Sequence, residues 1–83
     1  MPRYFFDIHD GSFAHDDHGV ECADLDAVRR QVKRTLSEIA KDFLPEDGEH
    51  HSFSIIVRDE RNHSVYTATL AFNGFRLADP TTA

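Results

Sequence analysis

The residues of this chain best equipped for chemistry are gathered in two turns, His9-Asp10 and His15-Asp16-Asp17-His18. Imidazole and carboxylate together suit a divalent ion such as Zn²⁺, and His15 and His18 can converge across a turn with Asp17 between them. A structural zinc site needs a complete tetrahedral ligand set, and no cysteine pair, HExxH helix or calcium-loop spacing accompanies these residues. His15, Asp17 and His18 are therefore candidate metal ligands of poor specificity, and no cofactor is expected. His50-His51 reads as loop. Asp16-Asp17 sits in an exposed turn that supplies no desolvation to raise a carboxylate pKa, and Cys22 stands alone. With no glycine-rich phosphate loop and no nucleophile elbow, the expectation is a protein that is not an enzyme.

The elements that would position these turns follow from hydrophobic period. Residues 25–44 place Leu25, Val28, Val32, Leu36, Ile39 and Phe43 at steps of three and four, which predicts an amphipathic helix with a charged opposite face. Asp24 is the predicted N-cap, Asp26 complements the positive helix end, and Pro45 stops the helix. Upstream, Tyr4, Phe6 and Ile8 alternate through a strand over 3–9, and Asp10-Gly11 offers a hairpin turn. A short second strand is expected around 12–15, with pairing resumed at 20–22. Downstream, a polar loop over 46–49 leads to a strand over 52–58 with Phe53, Ile55 and Val57 on one face. A turn at 59–63 places Asn62 in the left-handed region. A last strand over 64–72 turns Tyr66, Ala68, Leu70 and Phe72 inward. One helix cannot shelter its own stripe, so the strands must form the surface it packs on. The expected fold is α+β, a two-layer β-β-α-β-β arrangement with one helix on one face of an antiparallel sheet. It forms a single domain over 1–77 with a disordered tail at 78–83.

Composition narrows the partners. Eighty-three residues at 40% hydrophobic content describe one thin-cored globular domain. A formal net charge of −6 opposes binding to phosphate backbones or anionic lipid, so neither nucleic acid nor membrane is an expected partner. The basic residues Arg29, Arg30, Lys33, Arg34 and Lys41 collect on the helix, while residues 4–28 carry seven acids and no Lys or Arg, which predicts a bipolar surface. A lone Cys22 and the lack of a signal-peptide-like hydrophobic run at the start point to a cytoplasmic protein.

One helix covers one sheet face. The other would carry Phe5, Ile56, Val65, Thr67, Thr69 and Ala71, and contiguous apolar surface marks contacts. Phe5, Ile56, Val65 and Thr67 are accordingly the candidate interface residues of a self-associating interaction module, most simply a homodimer, with a strand edge as the other available surface. Two other classes stand beside it. One is a regulatory binder of a basic protein steered by the acidic N-terminal half; the other is a metal-responsive sensor using the His/Asp turns.

The run Pro2-Arg3-Tyr4-Phe5-Phe6-Asp7-Ile8-His9-Asp10-Gly11, with Asp17-x-Gly19-x-Glu21, Asp24-Leu25-Asp26-Ala27, Val57-Arg58-Asp59-Glu60 and Thr67-Ala68-Thr69-Leu70, resembles a family of small uncharacterised bacterial proteins, a domain of unknown function. The resemblance covers nearly the whole chain and implies no activity; His15 and His18 lie outside its pattern. More distantly, the order of hairpin, acidic turn and helix is similar to small antitoxin domains of the HicB type, which neutralise an RNA-cleaving toxin. That likeness is one of architecture, and architecture does not transfer function.

Overall fold

The computed structural model describes residues 1–43 and 49–78. The expected helix stop at Pro45, most of the loop over 46–49 and the tail beyond residue 78 lie outside the described residues. The chain runs β1 (Arg3–His9), β2 (Phe13–Ala14), β3 (Val20–Glu21), α1 (Leu25–Phe43), β4 (His50–Arg58) and β5 (Ser64–Asn73). The fold is α+β, with a five-stranded antiparallel sheet and one helix. Strand order is β2-β1-β4-β5, and β3 pairs with the other end of β1. The short strand expected around 12–15 and the pairing expected to resume at 20–22 are both present, as β2 and β3. β2 pairs at Ile8 and His9, and β3 pairs at Arg3 and Tyr4. The middle of that β1 edge is left to side chains of the turn between them.

Local chemistry explains the elements. Asp24 Oδ1 accepts from the Ala27 N–H at 2.9 Å, the N-cap bond that satisfies an otherwise free first-turn amide. Gly11 (φ 101°) and Asn62 (φ 66°) take the left-handed conformations their turns require. Gly19 (φ 74°) does so where a Cβ would lie 2.8 Å from Arg3 Cγ and 2.9 Å from the Tyr4 carbonyl oxygen.

The helix lies on the face carrying Phe6, Phe53, Ile55 and Val57, and buries Val28, Val32 and Leu36 against it, with Cys22 closing one end. Each fully buried aliphatic contributes about 1.5–3 kcal/mol relative to exposure, so this short list dominates the stability of the domain. The predicted stripe is right at its centre and wrong at its ends. Leu25 and Phe43 are 50% and 55% exposed, because the helix is longer than the sheet surface beneath it. Leu70 and Phe72 are placed on the helix side by their pairing with Phe53 and His51, yet they are 40% and 42% exposed. The β1–β4 ladder ends at His9 and Ser54, so the β4–β5 hairpin runs on past β1. These two side chains stand on its outer strand, where the helix gives little cover. No described helix is long and apolar enough to cross a membrane.

Candidate functional site

The best-organised polar cluster lies on the sheet face opposite the helix and joins residues 51 positions apart. Asp7 points to that face from the middle of β1, and its side chain is only 6% exposed. Arg58, at the end of β4, donates from Nε to Asp7 Oδ2 at 2.6 Å and from Nη2 to Asp7 Oδ1 at 3.0 Å. This is the two-pronged geometry for which a guanidinium is suited. Nη2 also reaches the Asp16 carbonyl oxygen at 3.0 Å, Nη1 donates to Asn62 Oδ1 at 2.9 Å, and the guanidinium carbon lies 5.1 Å above the centre of the Phe5 ring.

Asp16 completes the cluster. Its N–H donates to Asp7 Oδ1 at 3.0 Å. Its own carboxylate accepts from the N–H groups of Phe6, His18 and Gly19. The Phe6 bond fills the gap in the β1 edge between β2 and β3, where a partner strand would otherwise be needed. The tight approach at Gly19 brings the turn this close to β1.

The hydrogen bonds from Arg58 hold the Asp7 carboxyl below the usual range, against the opposing effect of burial. For Asp16, burial pushes upward, but the three backbone donors outweigh it and leave that carboxyl lowered as well. Arg58 is correspondingly raised, chiefly by its bonds to Asp7. All three groups are charged at neutral pH. A carboxylate held ionised, with its lone pairs engaged, makes a poor general acid; the arrangement is a clamp between β1, β4 and the acidic turn.

The candidate metal ligands fall at the margin of this clamp. His15 Nδ1 lies 3.5 Å from Asp7 Oδ1, and its Nε2 lies 3.5 Å from Asp17 Oδ1 and 3.4 Å from Arg58 Nη2. The structure therefore brings His15 and Asp17 together, but the cation beside them is a guanidinium. The bonds of His18 are made by its backbone, whose N–H donates to Asp16 and whose carbonyl oxygen accepts from Arg3 Nη1. Among the described residues no group of three or more His, Cys, Asp or Glu is arranged to hold a metal ion.

The candidate interface residues are also redistributed. Phe5 and Ile56 do share the open face, but Arg58 covers the Phe5 ring and Asp7 is the direct partner of Ile56 in the ladder. Val65 falls at the register shift beside Val57 and Arg58 and packs against the core cluster. Thr67 donates from Oγ1 to the Ile55 carbonyl oxygen at 2.9 Å. The expected apolar patch is thus interrupted by an ion pair. Exposed apolar side chains remain on the helix side of β5, at Leu70 and Phe72, and also at Phe13 in β2, Val20 in β3 and Phe75 and Leu77 beyond β5. Sequence reasoning missed the pairing of Asp7 with Arg58 and read Asp16 only as part of the exposed acidic turn. The available signal was one acid within one predicted strand and one base at the end of another, both on the face away from the apolar alternation.

A family model described as Domain of unknown function (DUF6894) matches residues 3–71. The chain belongs to the DUF6894 family. That span contains the whole clamp, the helix and β5 as far as Ala71, in agreement with the resemblance seen in the opening motif and its later companions. No curated protein and no solved structure matches the chain, and the likeness to HicB-type antitoxins gains no support. DUF6894 membership brings a domain without an assigned activity, so function has to be argued from the geometry.

Proposed function

We propose that this protein is a non-enzymatic interaction module that works by accepting an extended strand along the free border of β5. The observation that supports it most is the border itself. β5 is a ten-residue edge strand, SVYTATLAFN, with no charge and no proline, and no strand pairs with its outer side among the described residues. Soluble proteins ordinarily blunt such edges with charges, prolines, bulges or short length, because unpaired N–H and C=O groups template further pairing. This border lacks a charged or proline blocker, and Leu70 and Phe72 add apolar side chains that a strand could cover.

The clamp has a supporting part in this reading. It fixes β1 to β4 and commits the Asp7 and Asp16 carboxylates internally, which leaves less of the acidic turn to steer a basic partner. A cytoplasmic setting suits the buried, unpaired Cys22.

Hydrogen exchange on dilute protein tests the proposal. The β5 amides facing outward should exchange fast and those bonded to β4 slowly. Adding a peptide of residues 64–73 should slow the outward set. Uniformly slow exchange along β5 in dilute protein, or no response to the peptide, would overturn it.

A further inference from the structure

We infer that the strand received by β5 is the β5 of a second copy of this chain, laid antiparallel about a twofold axis through Thr69. The inference rests on the reading of β5 as the contact border and adds the identity and register of its partner. Antiparallel neighbours related by a twofold axis must oppose residues that point to the same sheet face. That limits the axis to a position at a residue, and three central positions are available.

Centring at Thr69 opposes Tyr66 to the partner's Phe72 and Ala68 to the partner's Leu70 on the helix side. On the other side it opposes Thr67 to the partner's Ala71 and Thr69 to its own counterpart. Aromatic meets aromatic, small meets large, and the polar and small residues meet one another, the kinds of cross-strand pair that stabilise a sheet. Centring at Ala68 instead runs Phe72 opposite Ser64, and centring at Leu70 sets Tyr66 opposite Gly74. Centring at Leu70 does pair Leu70 with itself and Phe72 with Ala68, but only the Thr69 register gives Tyr66, Leu70 and Phe72 each an apolar side chain opposite.

The helix side of the border has a matching vacancy. A groove of about 330 Å³ between α1 and β5 is lined by Val32, Leu36, Tyr66, Ala68 and Leu70, with Lys33 at its wall. Ala68 supplies its shallowest side chain, and the partner's Leu70 faces Ala68 in this register. The ends agree in charge as well. The turn at 59–63 carries Asp59, Glu60 and Arg61, a net negative end, and antiparallel pairing brings it beside the partner's run at 74–78, whose charge is Arg76. A foreign strand would have to reproduce this complementarity; a second copy brings it by symmetry.

Light scattering at tens of micromolar should give about twice the 9.5 kDa chain mass. Under mild oxidation Thr69→Cys should form an interchain disulfide, since residues on the axis approach within bonding reach, whereas Thr67→Cys should not. Cys22 is buried and does not compete. Leu70→Lys, at a site already 40% exposed, should keep the far-ultraviolet spectrum of the folded chain and weaken association by at least about tenfold, from desolvating a charge. A mass of one chain at that concentration, cross-linking through Thr67→Cys but not Thr69→Cys, or undiminished association of Leu70→Lys would each overturn the inference. If the peptide of residues 64–73 still protects β5 when the intact protein is monomeric, the second-copy partner fails while strand acceptance stands. If the peptide does not protect, strand acceptance itself has failed.

Discussion

Replacing Asp7 with Asn keeps the shape of the side chain and removes its charge, which isolates what the clamp contributes. The wild-type carboxylate receives Arg58 Nε at 2.6 Å, Arg58 Nη2 at 3.0 Å and the Asp16 N–H at 3.0 Å. An amide offers one acceptor oxygen and turns an NH₂ donor toward the remaining donors, so at least one bond becomes a donor facing a donor. Removing one member of a buried ion pair costs about 3–5 kcal/mol, much of it from the stranded charge. The guanidinium keeps the Asp16 and Asn62 oxygens, and water reaches part of it, so the low end, about 3 kcal/mol, is expected. A domain of this length is stable by about 4–12 kcal/mol in all. With a urea m-value of about 1 kcal/mol/M for so small a domain, the midpoint should fall by about 3 M.

Titrating the same unfolding experiment with pH checks the cause. The folded pKa of Asp7 is depressed, so its contribution is present above the unfolded value of about 3.9 and is lost as pH falls through the folded value. Wild type should therefore lose stability below about pH 4, and Asp7→Asn should lose less over that interval because it has no such proton to take up. A urea midpoint within error of wild type at neutral pH, or an undiminished acid-induced loss in the variant, would refute the reasoning.

Gly19→Ala should destabilise by more than about 1 kcal/mol, because the residue has φ 74° and the new Cβ would press on Arg3 Cγ and the Tyr4 carbonyl oxygen. Thermal melting followed by circular dichroism measures this, and Gly11→Ala, where nothing lies within 4 Å of the added Cβ, should cost less. Leu36→Ala should cost about 2–3 kcal/mol in urea unfolding, at the lower end for a core leucine because Leu36 also borders an open groove that lets the site relax.

The sequence was most legible where one period governs many residues. Val28, Val32 and Leu36 follow the helical repeat, and Phe53, Ile55 and Val57 follow the strand repeat, so each set names its own face. Periodicity assigns a face but not how far the opposing layer extends. Leu25, Phe43, Leu70 and Phe72 therefore fit their patterns and still lie in solvent. The clamp was illegible for a different reason. Asp7 and Arg58 are far apart in the chain, and only the β1–β4 register brings Phe5 opposite Arg58 and Asp7 opposite Ile56. Taken singly, Phe5, Ile56 and Val65 suggest a patch, but the charged pair between two of them and the register shift that turns Val65 to the core appear only when strands are aligned. Asp24 and Asn62 were readable because a cap and a left-handed turn depend on near neighbours alone.

The distance along the chain between Asp7 and Arg58 also bears on how the protein is made. β1 is translated well before its partner β4, and at ribosomal rates the intervening residues take roughly 2–10 s to appear. During that interval the run Arg3-Tyr4-Phe5-Phe6-Asp7-Ile8-His9 is an aromatic-rich β segment whose β4 edge has no mate, a hazard for intermolecular pairing. Asp7 interrupts it with a charge directly after its aromatic run. The carboxylate that later becomes the clamp's buried acceptor thus first serves as a gatekeeper for the nascent strand, and the arrival of Arg58 is what allows it to be taken out of water.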